Sequence, residues 1–168
     1  MKYRPGFQTL FWLAVLGFVI STRGPQIQRA FQTQGQALAP AAQVLDLEGR
    51  AVQLPAQGKR LLIFWATWCG PCRPEMARID RLVKNGSLKP ENVFAISTDS
   101  ALDVIRAARE ERAYSLPIFW DARGELARIY GVQGTPTIVL LDSDNRVEWM
   151  TMGLSPTLEL RLAAFFRE

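Results

Sequence analysis

The sequence predicts an α/β layer fold built on a partly parallel sheet, and three observations predict it. Apolar runs of strand length recur at Arg60–Trp65, Asn92–Ser97 and Thr137–Leu141. They are nearly continuous, as in strands buried on both faces. Stretches with helical spacing of apolar residues separate or follow these runs. Strands that alternate with helices along a chain build layered, largely parallel sheets rather than sandwiches or bundles. With 48% hydrophobic and 21% charged residues, the composition is that of an ordinary globular domain.

Each element has its own reason. Val44, Leu45 and Leu47, then Glu48-Gly49-Arg50, then Val52 and Leu54 read as a leading hairpin of two short strands about a turn. Arg60-Leu61-Leu62-Ile63-Phe64-Trp65 is a buried central strand. From Pro71, Met76, Ile79, Leu82 and Val83 share one helical face, and Asn85-Gly86 ends that helix. Asn92–Ser97 is a second buried strand, and Leu102, Ile105 and Ala108 mark a second helix. Ile118-Phe119-Trp120 reads as a short strand or loop, with its aromatics in packing roles, and Glu125–Tyr130 as a short helix. Thr137–Leu141 turns at Asp142–Asn145 and returns as Arg146–Met152, an antiparallel hairpin expected at one edge of the sheet. Pro156 opens a last helix with Leu158, Leu160, Leu162, Phe165 and Phe166. Residues 41–168 therefore form one domain, a central mixed sheet flanked by helices, with no internal repeat.

The N-terminus differs in kind. Residues 5–22 carry no charge, and at ~1.5 Å per residue they reach roughly 27 Å, the lower limit for crossing a bilayer. A cleaved signal peptide needs small residues soon after the apolar run. The best match, Ala37-Leu38-Ala39, lies far downstream and precedes Pro40. A core helix would be joined to other periodic elements, whereas a Gln-rich stretch follows here. Residues 1–22 are thus expected to form an uncleaved signal anchor, and residues 23–40 a flexible linker. Lys2 and Arg4 precede the span, a bias that favours an inner N-terminus and a domain on the oxidising, periplasmic side of a bacterial inner membrane.

The net charge of +4 belongs to that segment. Lys2, Arg4, Arg23 and Arg29 precede the first acidic residue, Asp46, and without them 16 basic residues face 16 acidic ones. No basic stripe suits a nucleic acid. Histidine is absent, which excludes Ser-His and Cys-His catalysis and histidine-bound metal. Cys69 and Cys72 are the only cysteines. A structural zinc site wants four ligands, and two thiols do not supply them. A two-coordinate Cu(I) site and an idle structural pair remain as alternatives to redox work. Position favours redox work. The pair follows a buried strand and opens a helix at Pro71, so Cys69 sits where unpaired N–H groups and the helix dipole favour a thiolate. Cys69 is the candidate nucleophile, and Cys72, one turn on and more buried, the resolving thiol.

Phe64-Trp65-Ala66-Thr67-Trp68-Cys69-Gly70-Pro71-Cys72 resembles the active-site stretch of thioredoxins, and Gly134-Thr135-Pro136-Thr137 resembles their cis-proline loop. The resemblance implies a thioredoxin fold over roughly residues 40–168 and a cis bond before Pro136 that packs against the cysteines. It also implies that Thr135 and Pro136, with Trp68, Gly70 and Pro71, meet the bound substrate chain, while Trp65 packs in the core. The anchor, the leading hairpin and Cys72-Arg73-Pro74-Glu75 are most similar to the membrane-anchored TlpA/ResA-like branch. That likeness makes Glu75 a candidate thiol-tuning or proton-handling group; a plain first-turn carboxylate on the helix dipole is the alternative. Thioredoxins carry a buried aspartate where this chain has Ile63, so that proton route is missing. Gly70-Pro71 and the residues around Pro136 depart from the cytochrome c maturation proteins of the CcmG type. The implied activity is thiol–disulfide oxidoreduction without a cofactor. Reduction of disulfides in exported proteins, such as apocytochromes or copper-handling proteins, is expected, with electrons from a membrane donor of the DsbD/CcdA type. An oxidase or isomerase, or a Cu(I)-binding assembly protein, is the alternative. A monomer is expected.

Overall fold

The computed structural model describes residues 43–167. The expected anchor and linker, residues 1–22 and 23–40, lie outside these. Among the described residues no helix is long and apolar enough to cross a membrane.

Seven strands form one mixed sheet: β1 (Gln43–Leu45), β2 (Ala51–Gln53), β3 (Arg60–Trp65), β4 (Val93–Ser97), β5 (Ile118–Trp120), β6 (Thr137–Leu141) and β7 (Val147–Met152), in the order β2-β1-β5-β4-β3-β6-β7. β3, β4 and β5 run parallel, while β6 opposes β3 and β7 opposes β6. The leading hairpin joins the far side through β5. Its turn is built by Asp46, whose Oδ1 accepts the N–H groups of Glu48 and Arg50, while Gly49 takes a φ of +82°. Helices α1 (Cys72–Lys84), α2 (Leu102–Glu111), α3 (Glu125–Ile129) and α4 (Leu158–Arg167) complete the domain. The helix expected to open at Pro71 begins one residue later, with Pro71 as its cap, and α4 starts two residues beyond Pro156. Short flanking turns explain such shifts at element ends.

Strand alternation divides the core between the two faces. Leu61, Ile63 and Trp65 of β3 meet Met76 and Ile79 of α1, Ile105 and Ala108 of α2, and Leu162 and Phe165 of α4. Leu62 and Phe64 face the other way, toward Leu126 and Tyr130. Phe119 stacks on Phe94 at 5.6 Å, and the Trp120 indole donates to the Asp99 carbonyl, so this aromatic pair has the packing role expected of it.

α1 is pinned at its far end by a buried carboxylate. Asp80 Oδ1 accepts the N–H groups of Ser115 and Leu116 and the Ser115 hydroxyl, and Oδ2 pairs with Lys84 at 2.6 Å. Burial pushes this carboxyl up, but Lys84 and the three donors outweigh it and hold it below the usual carboxylate range. A depressed pKa contributes stability that is present above the unfolded value, about 4, and lost as acid protonates the folded group. Asp80→Ala should therefore cost about 2 kcal/mol at neutral pH. The gap from wild type should narrow as urea titrations are repeated below about pH 4.

Candidate active site

The site lies where β3 runs into α1. Trp65 ends β3, and the arc 66–71 leads to Cys72, the first residue of α1. Three backbone hydrogen bonds wind the arc into the helix: Cys69 N–H to Ala66 O, Cys72 N–H to Cys69 O, and Arg73 N–H to Gly70 O, each 3.2 Å. Pro71, at φ −63° and ψ −21°, is already helical and forfeits only an N–H that a first turn would leave unpaired.

Cys69 and Cys72 are joined as a disulfide, with Cα atoms 5.3 Å apart. The Cys72 N–H also points at Cys69 Sγ, 3.2 Å away. This first-turn donor is thus shared between the Cys69 carbonyl and the Cys69 sulfur. Cys69 is 4% exposed and Cys72 fully buried, so Cys69 is the sulfur nearer solvent, as expected. Gly70 and Pro71 are exposed and Trp68 is 75% exposed, whereas Trp65 is buried in the core.

The proline loop arrives at the same end of the sheet. Phe64 pairs with Thr137 across β3 and β6, so the arc after β3 and the loop before β6 leave neighbouring strands side by side. The Thr135–Pro136 bond is cis, Pro136 is buried and Thr135 half-buried. The loop is held by Thr137 Oγ1 donating to Gly134 O at 2.6 Å and by Gly153 N–H donating to Pro136 O at 2.8 Å. A Cβ on residue 134 would come within 3.2 Å of the Met152 sulfur, so glycine lets the β7 end close over this loop. Met152 and Leu154, both more than half exposed, add apolar surface beside it.

Glu75 is fully buried and both its oxygens are engaged. Oε1 accepts the Ser155 N–H, and Oε2 pairs with Arg78 Nη1 at 3.1 Å. Arg78 also donates to Ser155 O at 2.9 Å. The residue that family likeness marks as a tuning group thus braces α1 against the segment leading to α4. Ile63 is buried in β3 with apolar neighbours, so no acid stands at that position.

Two residues at the site were not singled out from sequence. Asp99, 5% exposed, accepts the Thr67 N–H at 2.9 Å, the Thr67 hydroxyl at 2.8 Å and the Ser97 hydroxyl at 2.7 Å. Arg112 Nη2 donates to the Thr67 carbonyl at 3.0 Å. Strand register explains the first meeting. Trp65 and Ser97 are paired in parallel strands, and Thr67 and Asp99 each lie two residues further on. An acid just past a buried strand, beside the strand that feeds the cysteines, was the signal available.

Comparison with known proteins agrees with this geometry. The profile of the Redoxin family matches residues 33–161. The chain is 28% identical over 145 residues to the thiol-disulfide oxidoreductase ResA of Bacillus thuringiensis subsp. konkukian, covering 82% of this chain and 84% of that protein. It is 32% identical over 127 residues to a thioredoxin-like protein of Haemophilus influenzae, covering 73% of each. Among solved structures, a thiol-disulfide oxidoreductase from Bacteroides fragilis is 26% identical with a TM-score of 0.61, over 74% of this chain and 97% of the other.

Proposed function

The chain belongs to the Redoxin family and is a thiol–disulfide oxidoreductase with a thioredoxin-like fold, and from that premise we propose that it is a membrane-tethered reductase of disulfides in exported proteins. The observation that carries the reading is the Cys69–Cys72 pair at the head of α1, with Cys69 Sγ facing the Cys72 N–H. In the reduced protein the Cys69 thiolate is favoured by that donor and by the helix dipole. It attacks one sulfur of the client disulfide; a Cys69–client disulfide forms and the other client sulfur leaves as a thiolate. Cys72, deprotonated, then attacks Cys69 Sγ, giving the internal disulfide and a fully reduced client. The client gains two electrons and the Cys69–Cys72 dithiol loses two. Recharging reverses these steps with a membrane dithiol donor of the DsbD/CcdA type.

Gly70-Pro71 supports the reducing direction, and the uncharged run at residues 5–22 supports a tether to the inner membrane with the domain in the periplasm. Trp68 is an exposed apolar platform for the client chain, and the Thr135–Pro136 loop is its partner in the same role. Any proton-handling part for Glu75 would be played beside its Ser155 and Arg78 partners.

Two measurements test this reading. Cys72→Ser should accumulate mixed disulfides with exported proteins, visible as reductant-sensitive bands on non-reducing gels. Their identification by mass spectrometry names the clients. Failure to trap any would count against Cys69 as the attacking sulfur. The equilibrium potential of the Cys69–Cys72 couple should lie near the thioredoxin range, roughly −270 mV. A value near that of the oxidant DsbA, roughly −120 mV, would overturn the reductase assignment.

A further inference from the structure

The loop that carries Cys69 is gripped from both sides at a single residue, Thr67. Its N–H and hydroxyl go to Asp99, and its carbonyl to Arg112. Asp99 is held in turn: it accepts the Ser97 hydroxyl at 2.7 Å, and its own N–H donates back to Ser97 Oγ at 3.1 Å. Thr98 N–H donates to Trp65 O at 2.9 Å, tying the same turn to the end of β3. Among the described residues Asp99 forms no ion pair. A buried carboxylate sustained by hydroxyl and backbone donors alone is costly unless each donor is well placed. Two of its three donors belong to one residue, Thr67, two before the cysteine.

We propose that Asp99 is the positioning residue of the reaction: by fixing Thr67 it holds the arc 66–71 so that Cys69 Sγ stays on the Cys72 N–H at the head of α1. The inference rests on the reading of Cys69 as the attacking sulfur. Beyond the clamp, short-range turn hydrogen bonds, the disulfide and the core packing of Ala66 and Cys69 shape the arc. When the disulfide is reduced that covalent link is gone, and the clamp becomes the main polar restraint on the arc that carries the Cys69 thiolate. A thiolate that drifts from its N–H donor loses both the hydrogen bond and the field of the helix start.

The residue's charge and its geometry have opposite effects, which makes the role measurable. Removing a nearby negative charge would ease thiolate formation and lower the Cys69 pKa. Removing the clamp would raise it. The experiment uses the full chain, reduced, with the iodoacetamide alkylation rate of Cys69 followed against pH. Asp99→Ala should move the midpoint up by about one unit and slow client-disulfide attack about tenfold. Asp99→Asn keeps an acceptor oxygen for the Thr67 N–H and should stay within about twofold of wild type. Thr67→Val loses the hydroxyl bond but keeps the N–H bond, and should fall between them; it serves as the test if the alanine variant does not fold. A downward shift shared by Asp99→Ala and Asp99→Asn would assign the effect to charge and overturn the proposal; an equal upward shift in both would show that the retained acceptor does not matter and would overturn it too. So would a lower melting temperature with an unmoved alkylation profile. If Cys69→Ser left the alkylation and attack rates intact, the reading of Cys69 would fail instead, whatever position 99 did.

Discussion

With serine in place of Cys69, disulfide exchange should fall by on the order of a thousandfold or more, to the level of the uncatalysed reaction. The nucleophile in exchange is a thiolate, and a serine hydroxyl offers no comparable anion at neutral pH. Cys72 does not take over the role from where it stands. It is fully buried, while Cys69 retains a narrow opening to solvent. Cys72→Ser should behave differently: the first attack proceeds, the second does not, and the protein stops at one mixed disulfide per chain. A peptide disulfide assay with thiol release read spectrophotometrically separates the two. Catalysis by Cys69→Ser at more than about a tenth of the wild-type rate would mean that Cys72 attacks first, and the assignment of roles would reverse.

Arg78→Ala should be the most damaging single change to stability away from the core, at about 3 kcal/mol. Glu75 is fully buried, and Arg78, itself only 24% exposed at its side chain, is its charged partner. Without Arg78 the carboxylate keeps only the Ser155 N–H, and the Ser155 carbonyl loses its 2.9 Å donor. A charge left inside without a counterpart is the costly outcome, more so than removal of the whole pair. For a domain of this size the melting temperature should drop by roughly 10 °C. Glu159→Gln, at the outer end of the same chain of charges, should matter far less. Its carboxylate is 44% exposed, so its bonds to Arg78 and Arg81 are weakened by solvent. If the two variants melted alike, the buried pair would not be the brace between α1 and the start of α4.

Much of this could be read from the residues alone. The three central strands announced themselves because strands covered on both faces must be apolar throughout. The Cys69–Cys72 and Thr135-Pro136 motifs each lay next to such a strand. What could not be read was which polar groups go inside. Asp80, Glu75 and Asp99 sit among charged or turn-forming neighbours and look like surface residues. Their burial is licensed by partners distant in sequence, Ser115 for Asp80, Ser155 for Glu75 and Thr67 for Asp99. Local pattern carries no information on such pairs. Strand register does, and only after the sheet order is known. The expectation for Glu75 illustrates this. Its position on the helix was right, but the chemistry of its surroundings depended on a segment about eighty residues away.

The fastening of α1 has a mechanical consequence. The helix is staked along its length, by Glu75 to Ser155, by Asp80 to Ser115 and Leu116, and by Lys84 to the Ala113 carbonyl. On the other side β3 is locked between β4 and β6. The six residues from Ala66 to Pro71 join these two fastened bodies and are themselves tied at Thr67 to Asp99 and Arg112. Opening and closing the sulfur–sulfur bond then asks for small shifts within a held arc rather than displacement of the scaffold. The expected result is that the oxidised and reduced proteins present nearly the same surface to whatever disulfide or dithiol they meet. Turnover should then be paced by encounter and sulfur chemistry rather than by a change of shape.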